Sequence, residues 1–320
     1  MKRIGVITSG GDAPGMNAAV RAVVRTAISQ GVSVVGFITG YQGMIDNEYI
    51  EMESSTVSGI INRGGTILRS ARSQDFRNPE GRQKAAETLR TLGVEGLVVI
   101  GGDGSLTGAM VFMKETGIPV MGAPGTIDND LAGTDCTIGF DTSVNTALEA
   151  IDKVRDTAYS HDRIFVIEVM GRTKGFIALE VALAGGAEVV IVPEIPFSME
   201  QVCEVLREGK KRGKRSSIVI VAEGAARAVD VAEAISSQTG SDAKYLVVGH
   251  MQRGGSPTSF DRVLATRLGT HATELLLAGH SGEMAGIVTE KLVSDPIPII
   301  LASEKFLNPD KIRLVNIMGL

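Results

Sequence analysis

Short apolar runs alternate along the chain with longer segments in which apolar positions recur every three or four residues. In the first half, the pattern predicts strands at 2–9, 32–38, 96–100 and 119–123, and helices at 17–30, 82–92 and 106–115. The glycine-rich residues 101–105 are predicted to form a loop between a strand and a helix. Strands that alternate with helices indicate a parallel sheet with helices on both faces.

The alternation continues through the second half. The pattern predicts helices at 143–157, 174–184, 199–211, 229–239 and 261–278, and strands at 164–169, 189–193, 217–222 and 244–249. No low-complexity linker interrupts the sequence. We therefore expect two α/β layers formed by one continuous chain, rather than domains joined by a flexible tether.

Length and charge narrow the class of protein. The chain has 320 residues, the length of about two domains, and its formal net charge is −5. It contains no Lys/Arg-rich run and no stretch of about 20 apolar residues. These features argue against binding to nucleic acid and against a membrane anchor or span. If the substrates are phosphates, the basic residues that bind them must be gathered locally.

Two cysteines, Cys136 and Cys203, have neither a pairing pattern nor a metal-binding spacing. This is typical of a protein in a reducing compartment without a disulfide scaffold. The N-terminal residues enter a strand pattern directly and lack the apolar core of a signal peptide. We therefore expect a cytoplasmic protein.

Two glycine clusters follow predicted strands and precede predicted helices. The first is Gly10-Gly11-Asp12, and the second runs through residues 101–105 with Asp103 at its centre. Free backbone N–H groups at a helix start, without side chains in the way, suit a phosphate. Asp103 would then be a natural partner for Mg²⁺. The alternative is a pair of ordinary glycine-rich turns; neither cluster fits the P-loop or the dinucleotide-binding motif.

Two carboxylates, Asp128 and Asp130, lie in the loop formed by residues 124–130, again after a strand. One reading is a surface turn. The functional reading is that one Asp accepts the proton of an attacking hydroxyl, which is the usual role of a base in phosphoryl transfer.

Arginines offer further candidates for binding phosphate. Arg72 and Arg77 lie in a segment rich in turn residues, and Arg172 directly follows a strand. His250 and Arg253, in the glycine-rich loop 249–257, could bind a second phosphate. For most charged residues in these segments, a solvated face is the simpler explanation.

Six motifs occur in order along the chain: TSGGDAPGMNAAVR, NRGGT, GGDGS, PGTIDND, EVMGR and GHMQRGGSP. Together they resemble those of the bacterial ATP-dependent 6-phosphofructokinase family. The resemblance implies two Rossmann-like three-layer α/β/α domains with mainly parallel sheets and an active site in the cleft between them. It places a larger ATP-binding domain at about 1–139 and 252–302, and a smaller fructose-6-phosphate-binding domain at about 140–251 and 303–320.

The resemblance also implies the reaction, in which ATP phosphorylates the 1-hydroxyl of fructose 6-phosphate. Asp128 would be the base, Asp130 would organise the site, Thr126 would contact the sugar and Arg172 the transferring group. The implied sugar-phosphate site comprises Thr126, Ile127, Asp128, Met170, Gly171, Arg172, Glu223, Lys244, His250, Met251, Gln252 and Arg253, with Arg163 supplied by a neighbouring subunit of a homotetramer. The implied ATP site comprises Gly11, Tyr41, Arg72, Ser73, Phe76, Arg77, Arg82, Gly102, Asp103, Gly104 and Ser105, with Asp103 holding Mg²⁺.

An allosteric site for an effector such as ADP or phosphoenolpyruvate is implied as well. Its positions are Arg21, Arg25, Ser54, Gly59, Arg155, Gly186, Glu188, Arg212, Lys214 and Ser216. The chain departs from the familiar pattern at Ser54, Gly59 and Ser216, which replace charged or imidazole groups. It also has Ser73 where an aromatic residue is familiar, and Lys244 where the enteric-type enzyme has Arg.

Three alternatives stay open. The first is a pyrophosphate-dependent phosphofructokinase, but such relatives typically carry Asp and Lys where this chain has Gly104 and Gly125. The second is a kinase of another ketose phosphate. The third is a non-catalytic, nucleotide-sensing subunit, which would be expected to lack Asp103, Asp128 or Arg172; all three are present.

Overall fold

The computed structural model describes residues 1–319, which form two compact units. Unit 1 comprises Met1–Ile127, Leu131–Thr142 and Arg253–Lys305. Unit 2 comprises Asp128–Asp130, Ser143–Gln252 and the segment that begins at Phe306. The domain boundaries predicted from the sequence fall after residues 139, 251 and 302. In the structure, the chain passes between the units after residues 142, 252 and 305, and residues 128–130 also group with unit 2.

Unit 1 is built on a seven-stranded sheet. Its strands are β1 (Arg3–Ser9), β2 (Ser33–Phe37), β3 (Tyr49–Met52), β4 (Leu97–Gly101), β5 (Val120–Pro124), β10 (Glu283–Val288) and β11 (Lys291–Pro296). Its helices are α1 (Met16–Ser29), α2 (Tyr41–Asp46), α3 (Pro79–Thr91), α4 (Asp103–Thr116), α9 (Ser259–Leu277) and α10 (Ile297–Ala302), with a 3-10 turn at Asp75–Arg77. Helix α5 (Phe140–His161) starts in unit 1 and continues in unit 2.

The strand order in this sheet is β11-β10-β5-β4-β1-β2-β3, parallel except for β3 and β11 at its edges. Helices α1 and α9 pack against each other on one face, and α2, α3 and α4 cover the other. A buried cluster that includes Phe37, Leu97 and Phe112 fills the space beneath α3 and α4. The central strands are therefore apolar on both faces, as a doubly covered sheet requires.

Unit 2 contains a four-stranded sheet in the order β7-β8-β6-β9, in which all pairs are parallel. Its strands are β6 (Ile164–Val169), β7 (Val189–Ile191), β8 (Ser217–Ala222) and β9 (Ala243–Val247). Its helices, besides α5, are α6 (Phe176–Ala184), α7 (Met199–Lys211), α8 (Ala228–Thr239) and α11 (Pro309–Met318), and a 3-10 turn covers Gly249–Arg253. The predicted α/β class with mainly parallel sheets is confirmed.

The prediction of a loop at residues 101–105 is wrong in its second half. Helix α4 begins at Asp103, with Gly102 as its N-cap residue, so Gly104 and Ser105 belong to its first turn. Glycine is a poor helix former, which is why the pattern placed the start at 106. The correction brings Asp103 to a helix N-terminus, where the helix dipole favours negative charge nearby.

Several short elements gave no sequence signal. The hairpin of β10 and β11 turns at Thr289 and Glu290, both with positive φ, although neither residue is of the type that usually marks such a turn. Helix α2 is only six residues long and contains a glycine. Within residues 1–319, no helix combines the length and hydropathy needed to cross a bilayer.

Candidate active site

The two glycine clusters meet at the centre of the sheet in unit 1. Strands β1 and β4 are parallel neighbours, with Ser9 opposite Gly101. The strand that follows β1, β2, lies on one side of this pair, and the strand that follows β4, β5, lies on the other. This reversal of direction is the point at which open α/β sheets bind ligands, beyond the carboxyl ends of the strands. Both glycine turns begin at these ends.

The turns lie against each other and against the start of the next loop. A Cβ atom on Gly10 would lie 3.2 Å from the Ser105 hydroxyl oxygen, and one on Gly102 would lie 3.6 Å from the Thr126 Cβ. Gly10 has a φ of 88°, which favours glycine. The arrangement places the N-terminus of α4 beside two stretches of backbone without side chains, which suits a phosphate.

Asp103 is exposed in the first turn of α4, and the next residue is Gly104. A Cβ atom on Gly104 would meet nothing within 4 Å. Among the described residues, no group of three or more His, Cys, Asp or Glu side chains could hold a metal. An exposed carboxylate beside open space fits a Mg²⁺ ion that takes its other ligands from substrate phosphates and water.

An aromatic pair lies next to this turn. The rings of Tyr41 and Phe76 stack with centroids 4.0 Å apart, and the Tyr41 hydroxyl donates a 2.5 Å hydrogen bond to the Ser105 carbonyl. Burial raises the pKa of Tyr41. Gly108 leaves room for the pair, because a Cβ there would lie 3.3 Å from the Tyr41 ring.

Arg82 holds the 3-10 turn that carries Phe76. It is 7% exposed, donates to the carbonyls of Phe76 and Arg77, and forms a two-pronged ion pair with Glu115 at 2.6 and 2.7 Å. The Arg82 hydrogen bond lowers the pKa of Glu115. The Arg82 guanidinium thus holds the 3-10 turn against Glu115 of α4 within unit 1. Its direct contact with ATP stays a prediction.

Three other residues predicted to bind ATP lie in this turn or just before it. The Ser73 hydroxyl donates to Gln42 at 2.7 Å and accepts the Phe76 N–H. Arg72 and Arg77 are exposed.

Arg253 lies against the first glycine turn. Its Nη1 atom donates to the Asp12 carbonyl at 3.1 Å, and a Cβ on Gly11 would lie only 2.2 Å from the same nitrogen. Only glycine fits at position 11 while the guanidinium stays in place. Arg253 was predicted to bind the 6-phosphate of the sugar; within unit 1, its guanidinium lies against the backbone predicted to bind ATP.

In unit 2, the predicted sugar-binding residues gather at the carboxyl ends of adjacent strands. Met170, Gly171 and Arg172 follow β6, and Glu223 follows β8. The Glu223 carboxylate accepts the backbone N–H groups of Gly171 at 3.2 Å and Arg172 at 2.8 Å. This carboxylate therefore fixes the turn from which the Arg172 side chain projects.

Residues 128–130 group with this end of unit 2. Asp128 is 2% exposed, and an Asp130 carboxylate oxygen lies 3.8 Å from Nη1 of Arg172. Between them, Asn129 has a φ of 53°. The structure thus places both predicted carboxylates and Arg172 in one part of unit 2.

In the loop after β9, one predicted residue is buried against this group and two are exposed. Gln252 is fully buried; it accepts the Met170 N–H at 2.8 Å and donates to the Ser143 hydroxyl at 3.0 Å. It therefore positions Met170, and its role in binding substrate directly stays a prediction. His250 and Met251 are exposed, Met251 at 68%.

Arg163 and Lys244 lie at the opposite ends of the strands. Arg163 directly precedes β6, and Lys244 is the second residue of β9. Both form ion pairs with Asp242, at 2.9 and 2.8 Å. Arg163 and Met170 flank the six-residue strand β6, so about 23 Å separates them along the strand. One copy of unit 2 therefore does not bring Arg163 and Lys244 to the group that contains Arg172.

The positions predicted for an effector fall into two sets. In unit 2, the Arg155 guanidinium donates to the Gly185 and Gly186 carbonyls, and Lys214 lies 3.3 Å from Glu188. The remaining positions in unit 2 are Arg212 and Ser216, which flank Lys214, and those in unit 1 are Arg21, Arg25, Ser54 and Gly59. The role of every predicted site residue stays a prediction.

Sequence reasoning assigned no role to Asp261, Asn17 or Gly108. Asn17 is buried, donates to the Arg63 and Gly64 carbonyls and accepts the Ile67 N–H, so it anchors the NRGGT segment. Asp261 is fully buried, three residues after the N-cap Thr258. That spacing is a helix-start signature in the sequence, but it carries no information about distant partners.

Comparisons with known proteins identify the family of this chain. Residues 3–276 match the family described as Phosphofructokinase. The chain is 56% identical to ATP-dependent 6-phosphofructokinase 1 of Thermus thermophilus and 51% identical to the ATP-dependent 6-phosphofructokinase of Halothermothrix orenii, in each case over all of both chains.

Solved structures give the same result. Phosphofructokinase from Saccharomyces cerevisiae superposes with a TM-score of 0.91 and 38% identity, over 94% of this chain and 45% of that chain. A pyrophosphate-dependent phosphofructokinase from Marinobacter aquaeolei has a TM-score of 0.85 over 100% of this chain and 91% of that chain, but at 24% identity it supports the fold alone. The chain belongs to the phosphofructokinase family.

Proposed function

We propose that this chain is an ATP-dependent 6-phosphofructokinase, which transfers the γ-phosphoryl group of ATP to the 1-hydroxyl of fructose 6-phosphate. The observation that carries the proposal is the contact between the two glycine turns at the β1/β4 switch point, with Asp103 beside them. The names of the relatives that match over the full length of the chain support the same activity.

The open space at Gly104 favours ATP as the phosphoryl donor. Apart from its chain neighbours and the backbone of its own helix, no atom of the protein lies within 4 Å of a Cβ at this position, so a side chain there would project into the region beside the glycine turns. The α-phosphate of ATP needs such room, and a carboxylate would repel it. The buried Tyr41–Phe76 stack supports the start of α4 from the core side. Arg72, exposed four residues before Phe76, would bind the nucleotide.

Asp128 acts as the base in the transfer. Its carboxylate takes the proton of the 1-hydroxyl as that oxygen attacks the γ-phosphorus, while the bond to the bridging oxygen breaks and ADP leaves. Arg172 places positive charge near the transferring group, and its ion pair with Asp130 orients it. A Mg²⁺ ion held by Asp103 would offset the negative charge of the phosphates.

Glu223, Met170 and His250 bind the sugar phosphate in this scheme. Glu223 is already oriented by the backbone of Gly171 and Arg172. Because Arg163 lies at the far end of β6, it serves the site of a neighbouring copy, which requires an oligomer such as a homotetramer. Effector binding at the Arg155–Lys214 region belongs to the same proposal.

A donor-exchange experiment tests this function. Purified protein with Mg²⁺ and fructose 6-phosphate is assayed with ATP and, separately, with pyrophosphate. We expect turnover with ATP, and a fall in kcat/KM for ATP of about 10-fold or more in Gly104→Asp, because a carboxylate would face the α-phosphate. Turnover of the unmodified protein with pyrophosphate alone would overturn the proposal.

Gly104→Asn is the matched control, since it adds the same volume without charge. We expect Gly104→Asn to retain more activity with ATP than Gly104→Asp. Gly125→Lys is a poor partner for this test: a Cβ there would lie 2.9 Å from Met16 and 3.0 Å from Ile100, so the substitution would disturb the core itself.

A further inference from the structure

Asp261 is a fully buried carboxylate for which the proposed reaction has no use. It lies in the first turn of α9, but its side chain does not cap that helix. One carboxylate oxygen accepts the Gly139 N–H at 2.8 Å, and the other accepts the Thr142 N–H at 2.8 Å and the Thr142 hydroxyl at 2.6 Å. Asp261 therefore caps the start of a different helix, α5.

The two helix starts are interlocked. The Thr142 hydroxyl, while donating to Asp261, accepts the Thr258 N–H at 3.1 Å, and the Thr258 hydroxyl accepts the Asp261 N–H at 3.2 Å. Thr258 also donates to Asp141 at 2.6 Å. A buried carboxylate that accepts hydrogen bonds from three donors in a shared network fixes its partners more firmly than an exposed cap does.

The segment that Asp261 holds is itself bonded to the loop that leads to the predicted base. The Ile138 N–H donates to the Pro124 carbonyl at 2.9 Å, and the Thr137 hydroxyl donates to the Thr126 carbonyl at 2.6 Å. Gly125 and Ile138 form an isolated parallel bridge. Asp128 follows Thr126 by two residues in the chain.

A glycine makes this close packing feasible. Gly139 has a φ of 102°, and a Cβ there would lie 2.7 Å from Ala13 and 3.3 Å from Ile127. The residue whose N–H binds Asp261 thus also lies directly against the loop. A shift of residues 137–139 would be transmitted to residues 124–127 both by hydrogen bonds and by contact.

We propose that Asp261 is a positioning residue for phosphoryl transfer: by fixing residues 137–142 at the start of α5, it fixes the backbone of residues 124–126 and so the approach of Asp128 and Thr126 to the substrate. The proposal rests on the proposed function for its reaction. Displacement of a reacting group by about 1 Å can cost on the order of 10²-fold in rate. A positioning role of this kind changes kcat more than it changes the KM for ATP.

Asp261→Asn tests the proposal, because it keeps the volume but presents an NH₂ group to one of the three donors. We expect kcat to fall about 10-fold or more, with the KM for ATP changed by less than about 3-fold. The control is Thr273→Val, which removes a buried hydroxyl of the same helix that donates only to the Gly269 carbonyl one turn earlier. It should lower stability but leave kcat unchanged.

Thr142 provides a second, milder test should Asp261→Asn fail to fold. Thr142→Val removes the hydroxyl that bridges Asp261 and the Thr258 N–H, whereas Thr142→Ser keeps it. We expect the Val variant to lose kcat and the Ser variant to retain it. Equal kcat in the two Thr142 variants, or an unchanged kcat in Asp261→Asn, would overturn the positioning role.

Hydrogen exchange separates this proposal from the proposed function. In Asp261→Asn, but not in Thr273→Val, the amides of residues 125–127 and 138–142 should exchange faster. If the unmodified protein turned over neither donor, the proposed function would fail while this exchange pattern would still support the structural link. Unchanged exchange at residues 125–127 would overturn the link whatever the activity.

Discussion

Two residues beside the predicted chemistry hold a positive φ, which is uncommon for residues other than glycine. Asn129, between Asp128 and Asp130, has a φ of 53°, and Arg172 has a φ of 55°. Such conformations persist where the surroundings impose them, and they often occur at functional sites. At Arg172, the surroundings include Glu223, which accepts the N–H groups of Gly171 and Arg172. The backbone thus aims the Arg172 side chain.

Asp128→Ser tests the base. The substitution removes the carboxylate that accepts the hydroxyl proton, and we expect kcat to fall by about 10²-fold or more. Binding of fructose 6-phosphate should change only a few-fold, because other residues hold the sugar. Steady-state kinetics together with a direct binding measurement separate the two effects. A variant with near-normal kcat would show that Asp128 is not the base.

Arg253→Ala tests which ligand this guanidinium serves. We expect the KM for fructose 6-phosphate to rise about 10-fold or more while the KM for ATP changes little, since a charge-assisted contact to phosphate is lost. The opposite outcome also has a structural basis, because the Arg253 guanidinium lies against Gly11, which is predicted to bind ATP. A rise in the KM for ATP alone would assign Arg253 to the donor site.

At the scale of elements, the sequence predicted the strands of the sheets better than the starts of the helices near the site. Apolar runs such as β6 and β8 coincide with the predicted 164–169 and 217–222, because these strands are covered on both faces. Helix α4 begins three residues earlier than predicted, since its first turn carries Gly104. The cap of α5 by Asp261 could not be predicted, because donor and acceptor are 119 to 122 residues apart.

The pH dependence of stability tests the burial of Asp261. Burial raises the pKa of this carboxyl above its ordinary value of 3.8, although hydrogen bonds from Thr142 and Gly139 oppose the shift, and the neighbouring charge of Asp141 adds to it. A raised pKa in the folded state means that the group contributes most stability below pH 3.8, and that this contribution is lost as the pH rises through the folded value.

Urea unfolding of the unmodified protein and of Asp261→Asn between pH 3 and 7 measures this contribution. The Asn side chain does not titrate. As the pH rises, the free energy of unfolding of the unmodified protein should therefore fall relative to that of Asp261→Asn. A difference that is constant with pH, or that shifts in favour of the unmodified protein, would contradict a raised pKa.

At the scale of the whole molecule, the alternation of elements predicts two parallel α/β layers, but not the order of their strands. That order is set by packing between distant segments, such as β6 beside both β8 and β9. The strand order decides which predicted residues lie close together. Met170, Arg172 and Glu223 lie at the carboxyl ends of the strands, and Arg163 and Lys244 lie at the amino ends. The resemblance of the sequence motifs implied this separation for Arg163 but not for Lys244.

Mixed oligomers test the assignment of Arg163 to a neighbouring copy. Arg163→Ala and Asp128→Ser should each have low activity. When the two variants are co-expressed, some sites should combine an intact Asp128 from one copy with an intact Arg163 from another, and activity should exceed the sum of the parts.

The matched control for this experiment is Arg172→Ala mixed with Asp128→Ser. These two residues belong to the same unit, so no site in the mixture regains both, and activity should not recover. Absence of recovery with Arg163→Ala as well would show that Arg163 does not act across subunits.

The central claim is that ATP phosphorylates fructose 6-phosphate at its 1-hydroxyl. The most direct measurement is ³¹P NMR of the product formed from Mg²⁺–ATP and fructose 6-phosphate, with Asp128→Ser in parallel. We predict equimolar ADP and a sugar with two phosphate esters, at positions 1 and 6, and almost none of either product with the variant. ADP release without a second sugar ester, or a second ester at another position, would contradict the assignment of the acceptor hydroxyl and of Asp128.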